Sequence, residues 1–174
     1  MGCTFQFVGL CDTAFSNLFV FSDKELAASN ALRVIADSNP GYPCRVSLEE
    51  AEVGETILLL PCQHLDVSSP YRASGPIYVR QGVAQAKLGP GEIPPVLTRR
   101  LMSIRAYDSD GMMVSADVVQ PEALSVALNG LFGMDEVEFV DVHNAKHGCF
   151  AARATRAYLS RPSAETVKLP SRGS

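Results

Sequence analysis

The strongest constraint on the fold is a hairpin pattern in the second half of the chain. Two strand-like segments, residues 101–108 and 112–119, flank the sequence Ser109-Asp110-Gly111. Asp-Gly pairs favour the tight turns that join antiparallel strands, because glycine tolerates the positive φ angles that such turns require. The pattern therefore predicts that these two strands are antiparallel neighbours in a sheet.

Further strand-like segments are spread along the chain, and predicted helices are few. We expect additional strands near residues 4–10, 32–36, 55–62, 75–80, 137–143 and 150–158. Capping-box patterns that begin at Ser22 and Ser47 predict two short helices, and Pro121 suits the first turn of a third helix that reaches about Phe132. We therefore expect a single α+β domain over residues 1–159, with a mostly antiparallel sheet and two to three short helices packed on it. Residues 160–174 are expected to form a flexible tail.

The composition argues against several classes of protein. The net charge of -4 over 174 residues lacks the basic excess that binding to a phosphate backbone needs, so we expect no nucleic acid partner. The apolar run at residues 57–60 is far shorter than a membrane-spanning helix, and the N-terminus has no export-signal pattern, so we expect no membrane association. Five cysteines without a CxxC pair favour reduced thiols and a cytoplasmic location.

One cysteine lies in a conformationally restricted loop, Asn39-Pro40-Gly41-Tyr42-Pro43-Cys44-Arg45. The two prolines fix their own φ angles and push the residues before them towards extended conformations. A guanidinium at Arg45 and a helix that starts near Ser47 would both stabilise a thiolate at Cys44. Cys44 is therefore a candidate nucleophile, and the alternative interpretation is a buried structural cysteine.

A second candidate group is formed by Asp141, His143 and Cys149. Residues two apart share one face of a strand, so a carboxylate at Asp141 could orient the imidazole of His143. A Cys-His-Asp grouping with Cys149 or Cys44 as the nucleophile would define a thiol-dependent enzyme. The alternative is that His143 is a hydrogen-bonded residue at the edge of the core.

The same region contains residue types that bind zinc. His143, His147 and Cys149 supply imidazole and thiolate ligands, and His64 or Cys44 could complete a set of four. However, residues 144–148 have the pattern of a turn, and no second CxxC-like pair is present. We therefore expect no metal site, and the sequence implies no particular cofactor.

Arginines in or beside strands suggest an anion-binding site. Guanidinium groups bind carboxylates and phosphates through paired hydrogen bonds, and a pocket that gathers two or three of them would bind a small anion. The candidate ligand-binding residues are Arg45, Arg80, Tyr71, Arg105 and Asn144. The alternative is that most arginines form surface ion pairs with the 19 acidic residues.

Three motifs, at residues 40–48, 71–80 and 143–150, together resemble the bacterial family catalogued as domain of unknown function 1203. The resemblance implies a small, single-domain bacterial protein and carries no established activity, cofactor or partner. The leading hypothesis is thus a domain that binds a small molecule or anion in a cleft formed by the PGYPCR, YRASGPIYVR and HNAKHGC loops. The alternatives are the thiol-dependent enzyme and a structural or interaction domain that forms a homodimer through an exposed sheet edge.

Overall fold

Two antiparallel sheets make up most of the computed structural model, which describes residues 3–158. The strands are β1 (Cys3–Val8), β2 (Leu32–Ile35), β3 (Thr56–Leu65), β4 (Ala73–Arg80), β5 (Met102–Tyr107), β6 (Met113–Val119), β7 (Phe139–Asn144) and β8 (Phe150–Tyr158). The helices are α1 (Asp23–Ala28) and α2 (Leu124–Phe132), with 3₁₀ turns at Asp12–Ala14, Ser16–Val20, Pro95–Leu97 and Pro121–Ala123. The large sheet has the strand order β1-β8-β7-β5-β6, and the small sheet has the order β2-β3-β4. The prediction of a single α+β domain with mainly antiparallel sheets is confirmed.

The hairpin predicted from the Asp-Gly turn joins β5 to β6 in antiparallel register. The carboxylate of Asp108 accepts hydrogen bonds from the backbone N–H groups of Asp110 and Met112, both at 2.9 Å. Gly111 has a φ of +73°, as the turn requires. On its other side β5 pairs with β7, so the hairpin forms one end of the large sheet.

Each sheet is packed against its own apolar cluster. Helix α2 buries Leu124, Leu128 and Phe132 in the cluster of the large sheet, which also contains Phe5 and Phe7. The small sheet packs around a second cluster whose members include Leu26, Cys44, Val46, Leu58, Ile77 and Val79. The central strand of the small sheet is β3, and Ile57, Leu58 and Leu60 are buried as predicted, whereas Leu59 is half-buried.

The prediction of a helix after Ser47 is wrong, whereas the capping box predicted at Ser22 is confirmed. Instead, the chain turns back on itself, so that Pro43 forms a β-bridge with Glu50 and Leu48 adopts a φ of +55°. Val46 is buried in the cluster of the small sheet, and Leu48 is buried in that of the large sheet. A φ of +55° at Leu48 lies outside the right-handed helical region, so the segment cannot continue as a helix, and its tertiary contacts override the local capping signal.

Within the described chain, no helix is both long enough and apolar enough to cross a membrane. The tail predicted at residues 160–174 lies outside the described residues.

Candidate functional site

A cavity of about 390 Å³ lies between the two sheets, and each of the three sequence motifs contributes to its wall. The small sheet supplies residues of β3 and β4, while the end of β7 and the turn that follows supply the opposite side. The lining residues are Gly41, Pro43, Arg45, Leu59, Pro76, Tyr78, Arg100, Asn144, His147 and Cys149. The wall therefore combines apolar side chains with a small number of polar and cationic groups, as is typical of ligand sites.

Arg45 is the most unusual of these residues, because its charge is buried and has no acidic partner. The residue is only 3% exposed, and no carboxylate of residues 3–158 forms an ion pair with it. Its Nε donates to the carbonyl of Phe150 at 2.8 Å, and its Nη1 donates to the carbonyl of Pro43. Burial lowers the pKa of Arg45 to about 10, partly offset by the nearby thiols of Cys149 and Cys44. The guanidinium therefore stays charged at neutral pH.

Glu50, the acidic side chain whose charge acts on Arg45, is already paired with another arginine. Its carboxylate pairs with Arg100 at 2.5 Å and accepts a hydrogen bond from the backbone N–H of Gly41 at 3.1 Å. Arg100 also donates to the carbonyl of Val96 at 3.0 Å. Glu50 thus pairs directly with Arg100, and it acts on Arg45 only through a weaker, longer-range attraction that raises the pKa of Arg45.

A tight turn brings Asn144 and Cys149 to the same side of the cavity. The backbone N–H of Asn144 donates to the carbonyl of Cys149 at 3.0 Å, and that of Gly148 donates to the carbonyl of Asn144 at 2.7 Å. Asn144 is 7% exposed, and its Oδ1 is buried without a hydrogen-bond partner among the described residues. Cys149 is half-buried, and its thiol contacts the carbonyl of His147 at 3.7 Å.

An adjoining cavity of about 480 Å³ adds further positive charge. It shares Arg100, Asn144 and His147 with the first cavity and also contacts Arg99 and Lys146, both of which are exposed. Clefts lined by charge of one sign attract ligands of the opposite sign over several ångströms. The approach to Arg45 from this side is therefore electropositive.

Cys44, the first candidate nucleophile from the sequence, is fully buried and does not line the cavity. Its Sγ lies 3.4 Å from the backbone nitrogen of Val46, 3.5 Å from that of Ser47 and 3.3 Å from that of Arg80, and accepts a hydrogen bond from each. Since no helix starts at Ser47, the predicted activation by a helix N-terminus has no structural basis. The surroundings of Cys44 are those of a structural thiol.

Asp141 and His143 lie close to each other on β7 but are committed to other partners. Arg153 donates to both oxygens of Asp141, at 2.6 and 2.9 Å. The Nδ1 of His143 lies 3.1 Å from the carbonyl oxygen of Gly148, and burial lowers the pKa of His143 to about 4. No hydrogen bond within residues 3–158 joins Asp141 or His143 to Cys44 or Cys149, so the predicted Cys-His-Asp grouping is not assembled.

The ligand atoms of His64, Asp141 and His143 all lie within 4.8 Å of one another, a spacing that invites comparison with a metal site. However, Arg153 already compensates the carboxylate of Asp141, and Arg105 lies directly opposite Asp141 in the β5–β7 ladder. A divalent cation at this position would place two further positive charges beside two guanidinium groups, and the repulsion would disfavour its binding. The charge distribution thus favours a polar network that joins β3 to β7. Of the residues considered for zinc, His147 and Cys149 line the cavity, whereas His143 does not.

The other predicted ligand-binding residues lie outside the lining of this cavity. Arg80 pairs with Glu55 at 2.7 Å and with Glu49 at 3.2 Å. Tyr71 packs edge-on against Tyr107, with 6.0 Å between the ring centroids. Arg105 lies opposite Asp141 in the β5–β7 ladder.

Arg100 lines the cavity but was not among the predicted binding residues. The sequence feature that points to Arg100 is the pair Arg99-Arg100. It closely follows Pro94-Pro95, so two cations lie at the end of a conformationally restricted connector.

The fold and the cavity together define a small α+β domain with a cation-lined cavity between two antiparallel sheets. The chain belongs to the family described as Protein of unknown function (DUF1203), which matches residues 41–156. The matched segment contains most of the first motif and all of the second and third, so the resemblance seen in the sequence is confirmed. Searches of curated proteins and of solved structures found no match.

Proposed function

We propose that the protein binds a small anionic ligand in the cavity, with Arg45 as its main counter-ion. The observation that carries this proposal is the buried guanidinium of Arg45, which is charged at neutral pH and has no carboxylate partner in the described chain. A buried and unpaired charge costs several kcal/mol, so a site that retains one gains from a bound ion of opposite sign.

The other groups of the cavity suit the rest of such a ligand. The unpartnered Oδ1 of Asn144 can accept a hydrogen bond from an N–H or O–H group. Leu59, Pro76 and Tyr78 offer an apolar surface to a short carbon skeleton. Arg99 and Lys146, at the adjoining cavity, favour the approach of an anion. We therefore propose a small organic acid or a phosphate-containing molecule as the ligand.

The test is thermal denaturation of the full chain in inorganic phosphate, in acetate and in chloride at equal ionic strength. Phosphate or acetate at 100 times its Kd would stabilise the native state by about 2.7 kcal/mol. This corresponds to a rise in Tm of about 5–10 °C for a chain of this size. We expect Arg45→Met to remove the rise, because the variant keeps the length of the side chain and loses its charge.

Arg72→Met is the matched control for the loss of one positive charge. Arg72 is exposed and pairs with Asp66 at 2.8 Å, away from the cavity, so this variant should keep the full rise in Tm. A rise that persists in Arg45→Met, or that disappears equally in both variants, contradicts binding at Arg45. If Arg45→Met does not fold, Asn144→Asp places a like charge in the cavity and should weaken anion binding at nearly constant side-chain volume.

For the setting of the protein, we propose a bacterial cytoplasm. The free thiols of Cys11, Cys44, Cys62 and Cys149 support a reducing compartment, and the resemblance described above supports a bacterial source. The alternative role as an interaction domain has support at β2, an edge strand on which Leu32 and Ile35 are both more than half exposed. The sheet edge at β2 is the surface that we propose for a homodimer.

A further inference from the structure

We propose that Cys149 is a covalent ligand site, whose thiolate reacts with small anionic electrophiles that Arg45 holds in the cavity. This inference rests on the proposed anion site and adds a reaction to it. The ligand class is a short carboxylate with an electrophilic carbon one bond away from the carboxylate group. Cys44, which the sequence favoured as the nucleophile, has no part in this reaction.

The position of Cys149 is the first support. Of Cys11, Cys44, Cys62 and Cys149, whose side chains the structure describes, Cys149 is the one that lines the cavity containing Arg45. The Nε of Arg45 is fixed on the carbonyl of Phe150, the residue that follows Cys149. Arg45 and Cys149 therefore line the same cavity and are linked through the backbone of Phe150.

The second support is independent of the thiol and points to a ligand. Asn144 is more than nine-tenths buried, lines the same cavity and leaves its Oδ1 without a partner among residues 3–158. The hydrogen bonds of the turn hold Asn144 and Cys149 close together. An anionic ligand paired with Arg45 and donating to Asn144 would thus lie beside the sulfur of Cys149, where proximity raises the rate of attack.

The chemistry needs no additional reactant. With a 2-oxo carboxylate, the sulfur adds to the carbonyl carbon, the electron pair of the C=O π bond moves to oxygen, and that oxygen takes the proton lost by the thiol. The product is a reversible hemithioketal. With iodoacetate, used here as a probe, the sulfur forms a bond to the CH₂ carbon, iodide leaves with the electron pair of the C–I bond, and the thiol proton passes to solvent.

The test compares iodoacetate with iodoacetamide, two alkylating reagents of nearly equal size that differ in charge. Rates at each cysteine of the full chain are followed by peptide mass spectrometry. Cys11, which is exposed, is the internal reference. The ratio of the two rates at one cysteine cancels its own thiolate content, so the ratio reports the local preference for an anion. We expect this ratio to be at least about tenfold higher at Cys149 than at Cys11, because a cationic cleft raises the local concentration of an anionic reagent.

Two variants connect this preference to the cavity. Arg45→Met should reduce the ratio at Cys149 to that at Cys11, and Arg72→Met, remote from the cavity, should leave it unchanged. Asn144→Asp serves if Arg45→Met does not fold, and it should lower the rate with iodoacetate more than the rate with iodoacetamide.

The outcomes separate this inference from the proposed function. If phosphate or acetate stabilises the protein through Arg45 but Cys149 reacts with neither reagent, the covalent role is wrong and anion binding stands. Equal rate ratios at Cys149 and Cys11 in the wild-type protein also overturn the covalent role. If phosphate and acetate give no stabilisation that depends on Arg45, the proposed function fails independently of the labelling result.

Discussion

Burial lowers the pKa of both Arg45 and His143, with opposite results for their charge at neutral pH. The pKa of Arg45 falls to about 10, so the guanidinium stays charged. The pKa of His143 falls to about 4, because burial and the nearby charge of Arg105 both disfavour the imidazolium. Arg45 is therefore available as a permanent cation for a ligand, whereas His143 is a neutral hydrogen-bonding group.

The neutral state of His143 leads to a prediction about acid stability. Because its pKa in the native state lies below the ordinary value of 6.5, the unfolded state takes up a proton first as the pH falls. Stability should therefore decrease between about pH 6.5 and pH 4, by up to about 3 kcal/mol, and this contribution should level off below pH 4. The measurement is urea unfolding at several pH values between 7.5 and 4.

His143→Asn is the comparison for this prediction, since an asparagine N–H can still donate to the carbonyl of Gly148 and does not titrate. The difference between the wild-type protein and the variant isolates the histidine from other groups that titrate in acid. Parallel curves of unfolding free energy against pH would show that His143 does not contribute.

At the scale of elements, the backbone that follows β1 packs directly against the backbone of the loop that carries Arg45. Gly9 follows β1 directly, and a Cβ at this position would lie 1.9 Å from the carbonyl oxygen of Val46. The backbone N–H of Leu10 donates to the carbonyl of Arg45 at 2.7 Å. Any side chain at Gly9 must therefore push away the backbone that positions the guanidinium.

Two glycine-to-alanine substitutions test this contact. Gly9→Ala should destabilise the protein by about 1–3 kcal/mol, since the clash is with backbone atoms that cannot rotate away. Gly130→Ala, in the middle of α2 where a Cβ meets nothing within 4 Å, should stabilise it by about 0.5–1 kcal/mol. Urea unfolding of both variants measures the two effects. A neutral or stabilising Gly9→Ala would contradict the close approach.

Elements with strong local signals were predictable from the sequence, and elements set by distant contacts were not. The β5–β6 hairpin and the cap at Ser22 follow from short-range turn and capping chemistry. The turn after Ser47 does not, because it is fixed by the burial of Val46 and Leu48 in two different clusters.

The same distinction applies to the candidate site. The motif residues Arg45, Asn144 and Cys149 were identified from the sequence, and the structure brings them together at one cavity. The ion pairs of Arg80 and the contribution of Arg100 to the cavity depend on which strands and loops meet in space. Local patterns carry no information about these contacts.

At the scale of the whole molecule, Arg153 links the two sheets. From β8 it donates to the carboxylate of Asp141 on β7 and, at 3.0 Å, to the backbone carbonyl of His64 on β3. Asp141 is fully buried, so its charge depends on this partner. Arg153 therefore contributes both to charge balance and to the contact between the sheets.

Removal of this link should be strongly destabilising. Arg153→Met leaves the buried carboxylate of Asp141 without the guanidinium that hydrogen-bonds to it, which we expect to cost about 2–3 kcal/mol at pH 7 after allowance for the partial exposure of Arg153. The double variant Asp141→Asn/Arg153→Met should recover part of this loss, because no buried charge remains. A double-mutant cycle measured by urea unfolding gives the coupling energy, and a value near zero would show that the ion pair does not stabilise the fold.

The strand order shows that the residues matched by the family model do not include every strand of the two sheets. The family match covers residues 41–156, but β1 and β2 precede it, and they pair with β8 and β3. A fragment with only the matched residues would leave the hydrogen-bonding edges of β8 and β3 open and would remove Phe5 and Phe7 from the core. The boundary of the family match thus falls inside both sheets, and residues 3–40 belong to the architecture even though the match does not include them.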